Sequence, residues 1–397
     1  MIKKRKFGLL PKVAFAIALG ILLGLFFPSW AVRIFTTFNG LFGNFLGFII
    51  PLLILGLVAP GIAELGKGAG RLLMITVALA YGFTLFSGFF TYFTCNLVYP
   101  PLLQNASSIT VDNASTAALT APFFEVEMPP LMGVMTALLL AFTLGLGMAM
   151  IEGNALRNMM HDFRDIINKV IVGVIIPILP IFIFGIFLEM TAAGKVASIL
   201  GVFIKIIVVI FAMTIVLLLI QFCFAGIVGK QNPLKALKNM LSAYLTALGT
   251  QSSAATIPVT LAQTIKNKVP ENIASFVIPL CATIHLSGST LKIVACTLAI
   301  VMTGGMDVGF AQYAGFICML GIAMVAAPGV PGGAIMASIG IIQSILGFNQ
   351  EAIGLMIALY IAMDSFGTAC NVTGDGAIAI IVDKIAKSSK TLDLNGG

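Results

Sequence analysis

The sequence predicts an all-α polytopic membrane protein, with eight transmembrane helices and two oppositely oriented re-entrant hairpins. Three observations carry the prediction. Apolar runs of about 20 residues, enough to cross a bilayer core as helix, recur along the chain. Of its 397 residues 59% are hydrophobic and 9% charged, and mean hydropathy is +1.09, a balance foreign to soluble domains of this length. Most of the 22 Lys and Arg fall at the two termini or in short segments near 67–71, 157–169, 230–238 and 266–268.

That distribution sets orientation. From Leu72 to Leu156 there is no basic residue, and this interval holds the longest polar loop, 98–127, whose charges are Asp112, Glu125 and Glu127. The positive-inside rule makes the basic segments cytoplasmic and this loop external. The net charge of +7 therefore reads as orientation in a plasma (inner) membrane bilayer, with no nucleic-acid partner. The six cysteines fall mostly in apolar segments and form no CxxC, which suggests neither a disulfide framework nor a zinc site.

Taken in order, the first apolar run follows a basic start, MIKKRK, like that of a signal peptide. It is long and no small-residue cleavage site stands out, so 9–29 reads as a retained span. Spans 40–64, 72–98, 128–152, 169–192 and 198–229 alternate with the loops above and complete six helices in residues 1–229. Residues 230–397 read differently. Segment 233–268 is flanked by lysines (Lys230, Lys235, Lys238; Lys266, Lys268), so both its ends are cytoplasmic, and its centre, LGTQSSAATIPVT, is too polar to face lipid. After span 271–303 comes segment 307–349, with both ends outside and a centre reading AAPGVPGGAIMAS. Span 351–385 returns the chain, leaving both termini cytoplasmic. A break entered and left from one side describes a re-entrant hairpin, which survives at membrane depth only inside protein or beside water. The plainer alternative is a pair of interfacial loops. Hairpin, span, hairpin, span, inserted from opposite faces, resembles an inverted repeat around a midplane binding site.

The chemistry-bearing residues lie in that second half. If 351–385 is helical, Asp364, Thr368, Asn371 and Asp375 fall at i, i+4, i+7 and i+11 and form one polar stripe, with Gly367 on the same side. Carboxylates inside a membrane usually face a cavity and mark an ion or substrate path. Thr and Asn alone would serve a structural hydrogen-bond stripe; two aspartates argue for more. Span 271–303 adds CATIHLSGSTLK, with His285, Ser287, Ser289 and Lys292. A lone membrane histidine is as often a satisfied hydrogen bonder as a ligand. A buried lysine needs a partner or must lose its proton.

Four stretches, SSAATIPVT (252–260), PLCATIHLSGST (279–290), PGVPGGAIM (328–336) and DSFGTACNVTGD (364–375), come in an order that resembles the dicarboxylate/amino acid:cation symporter family of glutamate-transporter type. They match its serine-rich first hairpin, NMDGT helix, second hairpin tip and last helix. The resemblance implies a homotrimer, and an elevator-type movement of a transport domain. That domain would be built from 230–397 with helices three and six of the first half, sliding against a scaffold made from the rest. It makes Asp364 the anchor for a substrate α-amino group. Asn371 and Ser253 would hold the α-carboxylate, with backbone amides of the first hairpin tip, and Ser252 and Thr368 belong to the same substrate-binding set. Asp375 becomes a sodium ligand, helped by backbone near His285 and Asn371. Gly329, Pro331, Gly332 and Gly333 form the extracellular gate.

The departures sharpen this. Acidic-substrate members carry an arginine where this chain has Gly367. Without it a second substrate carboxylate would be uncompensated, at a cost on the order of several kcal/mol. A glycine also leaves volume. The expected substrate is thus a small neutral amino acid (serine, threonine or alanine), with Ser289 available to a hydroxyl. The NMDGT asparagine and aspartate positions read His285 and Ser287, and the third helix, LLMITVALAYGF, is poor in ligands, so fewer sodium ions are expected, with protons carried by His285 or Lys292 as the alternative. Where many members have a first-hairpin arginine, this chain has Gln251, and Lys292 is the expected charge partner of Asp364.

An enzyme is not expected. Asp364 and Asp375 as an aspartyl protease pair would stand about 16 Å apart along one helix, too far to share a water. Ser253 with His285 lacks an orienting third group. A channel, and a dicarboxylate, acidic amino acid or cystine symporter, remain the competing readings.

Overall fold

The computed structural model describes residues 9–66, 71–103, 121–194, 196–327 and 331–394. Among them every regular element is helical. The first half comprises α1 (Leu9–Gly24), α2 (Ser29–Gly66), α3 (Arg71–Leu103), α4 (Val134–Met150), α5 (Ala155–Val170), α6 (Ile176–Ala192) and α7 (Val196–Gly229). Among the described residues six helices are long and apolar enough to cross a membrane. Asp112 of the expected external loop lies outside the described residues. The end of that loop is tied to α2: Arg33 donates to the Pro122 carbonyl and stacks on Phe123, and Asn44 donates to the Val126 carbonyl.

The bounds differ from those expected, for local reasons. α2 starts at Ser29 rather than 40 and runs for 38 residues, about 57 Å at 1.5 Å per residue, far more than a bilayer core requires. The hydropathy signal marks only the apolar part of such a helix. α4 starts at Val134 rather than 128, after an extended Gly133. The span expected at 169 is the continuation of amphipathic α5, joined to α6 by a π-helical turn, Ile171–Ile175. Pro177 follows that turn, and its ring and missing N–H disfavour the regular α ladder one turn back.

In the second half α8 (Pro233–Thr250) and α9 (Ser253–Lys266) fold back on each other. Asn232 caps α8 through the Lys235 amide, with Pro233 at the first helical position. Gln251 takes a left-handed conformation at the turn, and Ser252 caps α9 through the Ala255 amide. The expected span 271–303 is broken. α10 (Glu271–Ile284) stops at an extended His285, and α11 (Ser287–Thr303) restarts two residues later. Then α12 (Phe310–Val325) packs on α13 (Gly333–Leu346). The expected span 351–385 is also broken, at Met363, between α14 (Gln350–Ala362) and α15 (Asp364–Leu394).

Packing separates two groups. α1 lies on α6, and α2 lies on α4, α5 and α6. The other group centres on α11 and α15, which are buried almost all round by α3, α7, α8, α9, α10 and α14. The groups meet mainly where α13 touches α2 and α4, and where α14 touches α6 and α1.

Candidate substrate and cation site

α15 opens on Asp364, an acidic residue at the positive end of the helix dipole. Its stripe of Asp364, Thr368, Asn371 and Asp375 is buried throughout. Burial without bulk water forces each polar atom to find a partner in protein or cargo. The partners form two clusters one above the other along α15.

The first cluster surrounds Asp364. Lys292 Nζ on α11 donates to Asp364 Oδ1 at 3.2 Å, and the Gly332 amide donates to Asp364 Oδ2 at 2.8 Å. Gly332 has φ +76°, a left-handed conformation that glycine adopts without strain and that aims this amide at the carboxylate. Lys292 is 1% exposed. Its Nζ also donates to the Met363 carbonyl at 3.3 Å and sits 3.8 Å from the Tyr360 ring centroid. At the break that carbonyl also accepts from the Phe366 and Gly367 amides at the start of α15. A Cβ added at Gly367 would overlap Cε and Nζ of Lys292. The expectation that Gly367 leaves open volume is thus corrected: the lysine fills it. Thr368 donates to the Asp364 carbonyl of its own helix.

The second cluster joins α15 to the broken helix. Asn371 Oδ1 accepts from the Gly288 amide at 2.8 Å and the Ser289 amide at 3.3 Å, so a side chain from α15 caps the start of α11. Asn371 Nδ2 and the Tyr360 hydroxyl both donate to Ser289 Oγ at 3.1 Å. Further along, His285 Nδ1 lies 2.8 Å from Asp375 Oδ1. The second Asp375 oxygen, His285 Nε2 and Gln221 Oε1 are buried without hydrogen-bond partners. His285 and Gln221 are neighbours, since a Cβ at Gly374 would come within 2.7 Å of His285 Cε1 and 2.8 Å of Gln221 Oε1.

Of the residues singled out in the sequence, Asp364, Lys292, Gly332 and Gly367 come together, as do Asn371 with Ser289 and Asp375 with His285. Ser252 and Ser253 head α9, which packs along α15, but no hydrogen bond joins Ser253 to Asn371 among the described residues. Gln251 caps α8, while Lys292 is the residue that pairs with Asp364. Pro331 and Gly333 flank Gly332 at the start of α13; Gly329 lies outside the described residues. Sequence reasoning missed Tyr360, Gln221 and Ser87. Gln221 was discoverable as the one amide in the apolar run IVLLLIQFCF. The view of the third helix as poor in ligands is also corrected. Thr84, Ser87 and Thr91 lie within the two turns that follow the stretch considered and are buried, with Ser87 Oγ donating to the Ser287 carbonyl.

Comparison with known proteins agrees with this architecture. The model of the "Sodium:dicarboxylate symporter family" matches residues 9–385. A "Serine/threonine transporter SstT" of Streptococcus suis is 28% identical over 84% of this chain and 94% of its own length. Its namesake in Acinetobacter baylyi is 27% identical over 96% of this chain and 98% of its own. The "Excitatory amino acid transporter 1" of Ambystoma tigrinum is 29% identical over 70% of this chain and 53% of its own. Family members are transporters rather than enzymes, and a match over this much of the chain places it as an integral membrane protein that belongs to the sodium:dicarboxylate symporter family.

Proposed function

We propose that the chain is a secondary active transporter that moves a small neutral amino acid, of the serine, threonine or alanine kind, together with sodium. The observation that carries this reading is the Lys292–Asp364 pair beside Gly367. The pair is neutral as a unit, so a zwitterion enters without adding net charge to a buried site. A dicarboxylate or acidic amino acid would need a free cation, and the lysine nearest this space is already held by Asp364, Met363 and Tyr360. Asn371 and Ser289 offer an amide and a hydroxyl for the polar part of the substrate. The serine/threonine transporter relatives support the same class.

The cation reading draws on the two unpartnered buried oxygens, Asp375 Oδ2 and Gln221 Oε1. Hard oxygen acceptors left without donors suit an alkali ion, and a proton shared with His285 is the alternative cargo. The elevator movement, with 230–397 carried with α3 and α7 against a scaffold, is supported by the two packing groups and the small surface joining them. Pro331, Gly332 and Gly333 belong to the gate in this reading, because the Gly332 amide closes on Asp364. A homotrimer in the inner membrane, with both termini cytoplasmic, completes it. Large exposed apolar side chains such as Phe26, Leu97 and Ile227 give lipid or neighbouring copies their contact surface.

The test is uptake into proteoliposomes of labelled serine, threonine, alanine, aspartate, succinate and cystine, with and without an inward sodium gradient. Saturable, sodium-driven serine or alanine uptake is the expected result. Saturable aspartate or succinate uptake that neutral amino acids fail to compete would overturn it.

A further inference from the structure

Asp364 is a two-sided carboxylate: one oxygen serves a side chain of α11, the other the backbone of the second helix pair. In a proposed amine anchor this matters, because the group that neutralises the anchor with no substrate present decides whether the gate can close on an empty site. We propose that Lys292 is a tethered stand-in for the substrate ammonium, which holds Asp364 when substrate is absent and so lets Gly332 dock on the same carboxylate. This rests on the reading of Asp364 as the amine anchor.

The geometry supports each part. An unpaired carboxylate at 5% exposure would have to hydrate, and water would enter most readily where the Gly332 amide now sits. With an ammonium at 3.2 Å the charge is compensated and the amide docks dry. Lys292 is also built to yield. Displaced from Oδ1 by an incoming ammonium, it keeps the Met363 carbonyl and the face of Tyr360, two contacts that need no movement of the helix. Its stem lies in the space that any side chain at Gly367 would occupy, so lysine and glycine form a matched pair. One ammonium replaces another, no proton is transferred, and the local charge changes only by the substrate's own. The functional consequence is that the empty carrier can close and return without a counter-cation, so net uptake competes with exchange.

Two measurements on the full chain in lipid nanodiscs and proteoliposomes test this. The first is hydrogen exchange of peptides covering 331–340 with no substrate added. Lys292→Met is expected to raise exchange at the Gly332 amide about tenfold, the population shift left when the closed empty state loses its counter-charge. In Lys292→Ala, n-propylammonium should restore protection, and Lys292→Arg should stay near the parent. The second is the ratio of net serine uptake to serine–serine exchange, expected to fall about tenfold in Lys292→Met because loaded carriers still close. Asp364→Asn/Lys292→Met, which removes both charges, controls for folding and should protect Gly332 again. If Lys292→Met fails to fold, the Lys292→Ala protein prepared in propylammonium and then dialysed decides the matter. Unchanged exchange at Gly332 on loss of the amine overturns the proposal, as does net uptake falling in step with exchange. If the parent transports no neutral amino acid, the function reading fails alone, since the first measurement uses no substrate.

Discussion

The helices at the surface and those carrying the site are opposites. In the spans Leu72–Leu103 and Leu200–Gly229, 28% and 39% of the most apolar window is buried; in Glu271–Thr303 and Asp364–Lys387 the figures are 100% and 94%. Yet the buried helices carry Asp364, Asp375, Lys292 and His285, while the exposed ones present Leu97, Val208 and Ile227 outward. A water-soluble protein arranges these the other way. In lipid the tails are as apolar as any core, so burying leucine gains little and pairing polar groups becomes what organises the interior. Each site contact therefore has two duties, stability and recognition, and matched substitutions in the two regions should differ sharply.

The largest effect is expected at Asp364. Asp364→Asn leaves Lys292 as an uncompensated buried charge, a change worth about 3–5 kcal/mol when one partner of a buried pair is lost. Serine uptake should drop about a hundredfold or more, with a lowered thermal midpoint in detergent. Uptake within about twofold of the parent would show that the pair is not the centre of the site. Asn371→Ala comes next. It strands the Gly288 and Ser289 amides at the start of α11, about 1–3 kcal/mol, read as a lower midpoint even without substrate.

These two residues were legible early. The stripe on 364–375 stands out because helical spacing places its members on one face, and an apolar background leaves nothing else to explain it. The Pro-Gly and serine-rich turns marked both folded-back helix pairs for the same reason. The breaks at His285 and Met363 were not legible. Apolar residues on either side sum to one span, and hydropathy does not register one or two residues of non-helical backbone. Lys292 against Gly367 was beyond reach in another way. A glycine in a stripe says that space exists, but which side chain enters it depends on the register of α11 against α15. Tyr360 hides for the reason that makes it useful, being one polar atom on a side chain otherwise at home among apolar neighbours.

A glycine pair sharpens the comparison further. At Gly288 a new Cβ would lie 2.5 Å from Cys370 Cβ and 2.6 Å from the Gly367 carbonyl, so Gly288→Ala must push α11 from α15. The expected cost is about 1–3 kcal/mol, and transport should suffer because Lys292 moves with α11. At Gly82 on α3 a Cβ meets nothing within 4 Å. Gly82→Ala should stabilise the protein by about 0.5–1 kcal/mol through helix propensity alone. Opposite shifts in thermal midpoint, the larger one for Gly288→Ala, are the expected signature. A destabilising Gly82→Ala would mean that a neighbouring chain covers this face.

The smallest expected difference is the most informative about what surrounds the molecule. Val294 on α11 is fully buried, and Val208 on α7 is 63% exposed. Deleting two methyl groups at Val294 opens a cavity that close-packed neighbours cannot refill, costing about 1–2 kcal/mol. At Val208 a lipid tail takes up the space, so Val208→Ala should fall within about 0.5 kcal/mol of the parent. If the two valines cost the same, α7 is not facing lipid there. The nearest remedy would be a second copy of the chain packed on α7, and cross-linking through a cysteine placed at Val208 would then give discrete oligomers. Free exchange of that cysteine with a lipid-soluble thiol reagent, and no cross-linked species, leaves the bilayer as the neighbour.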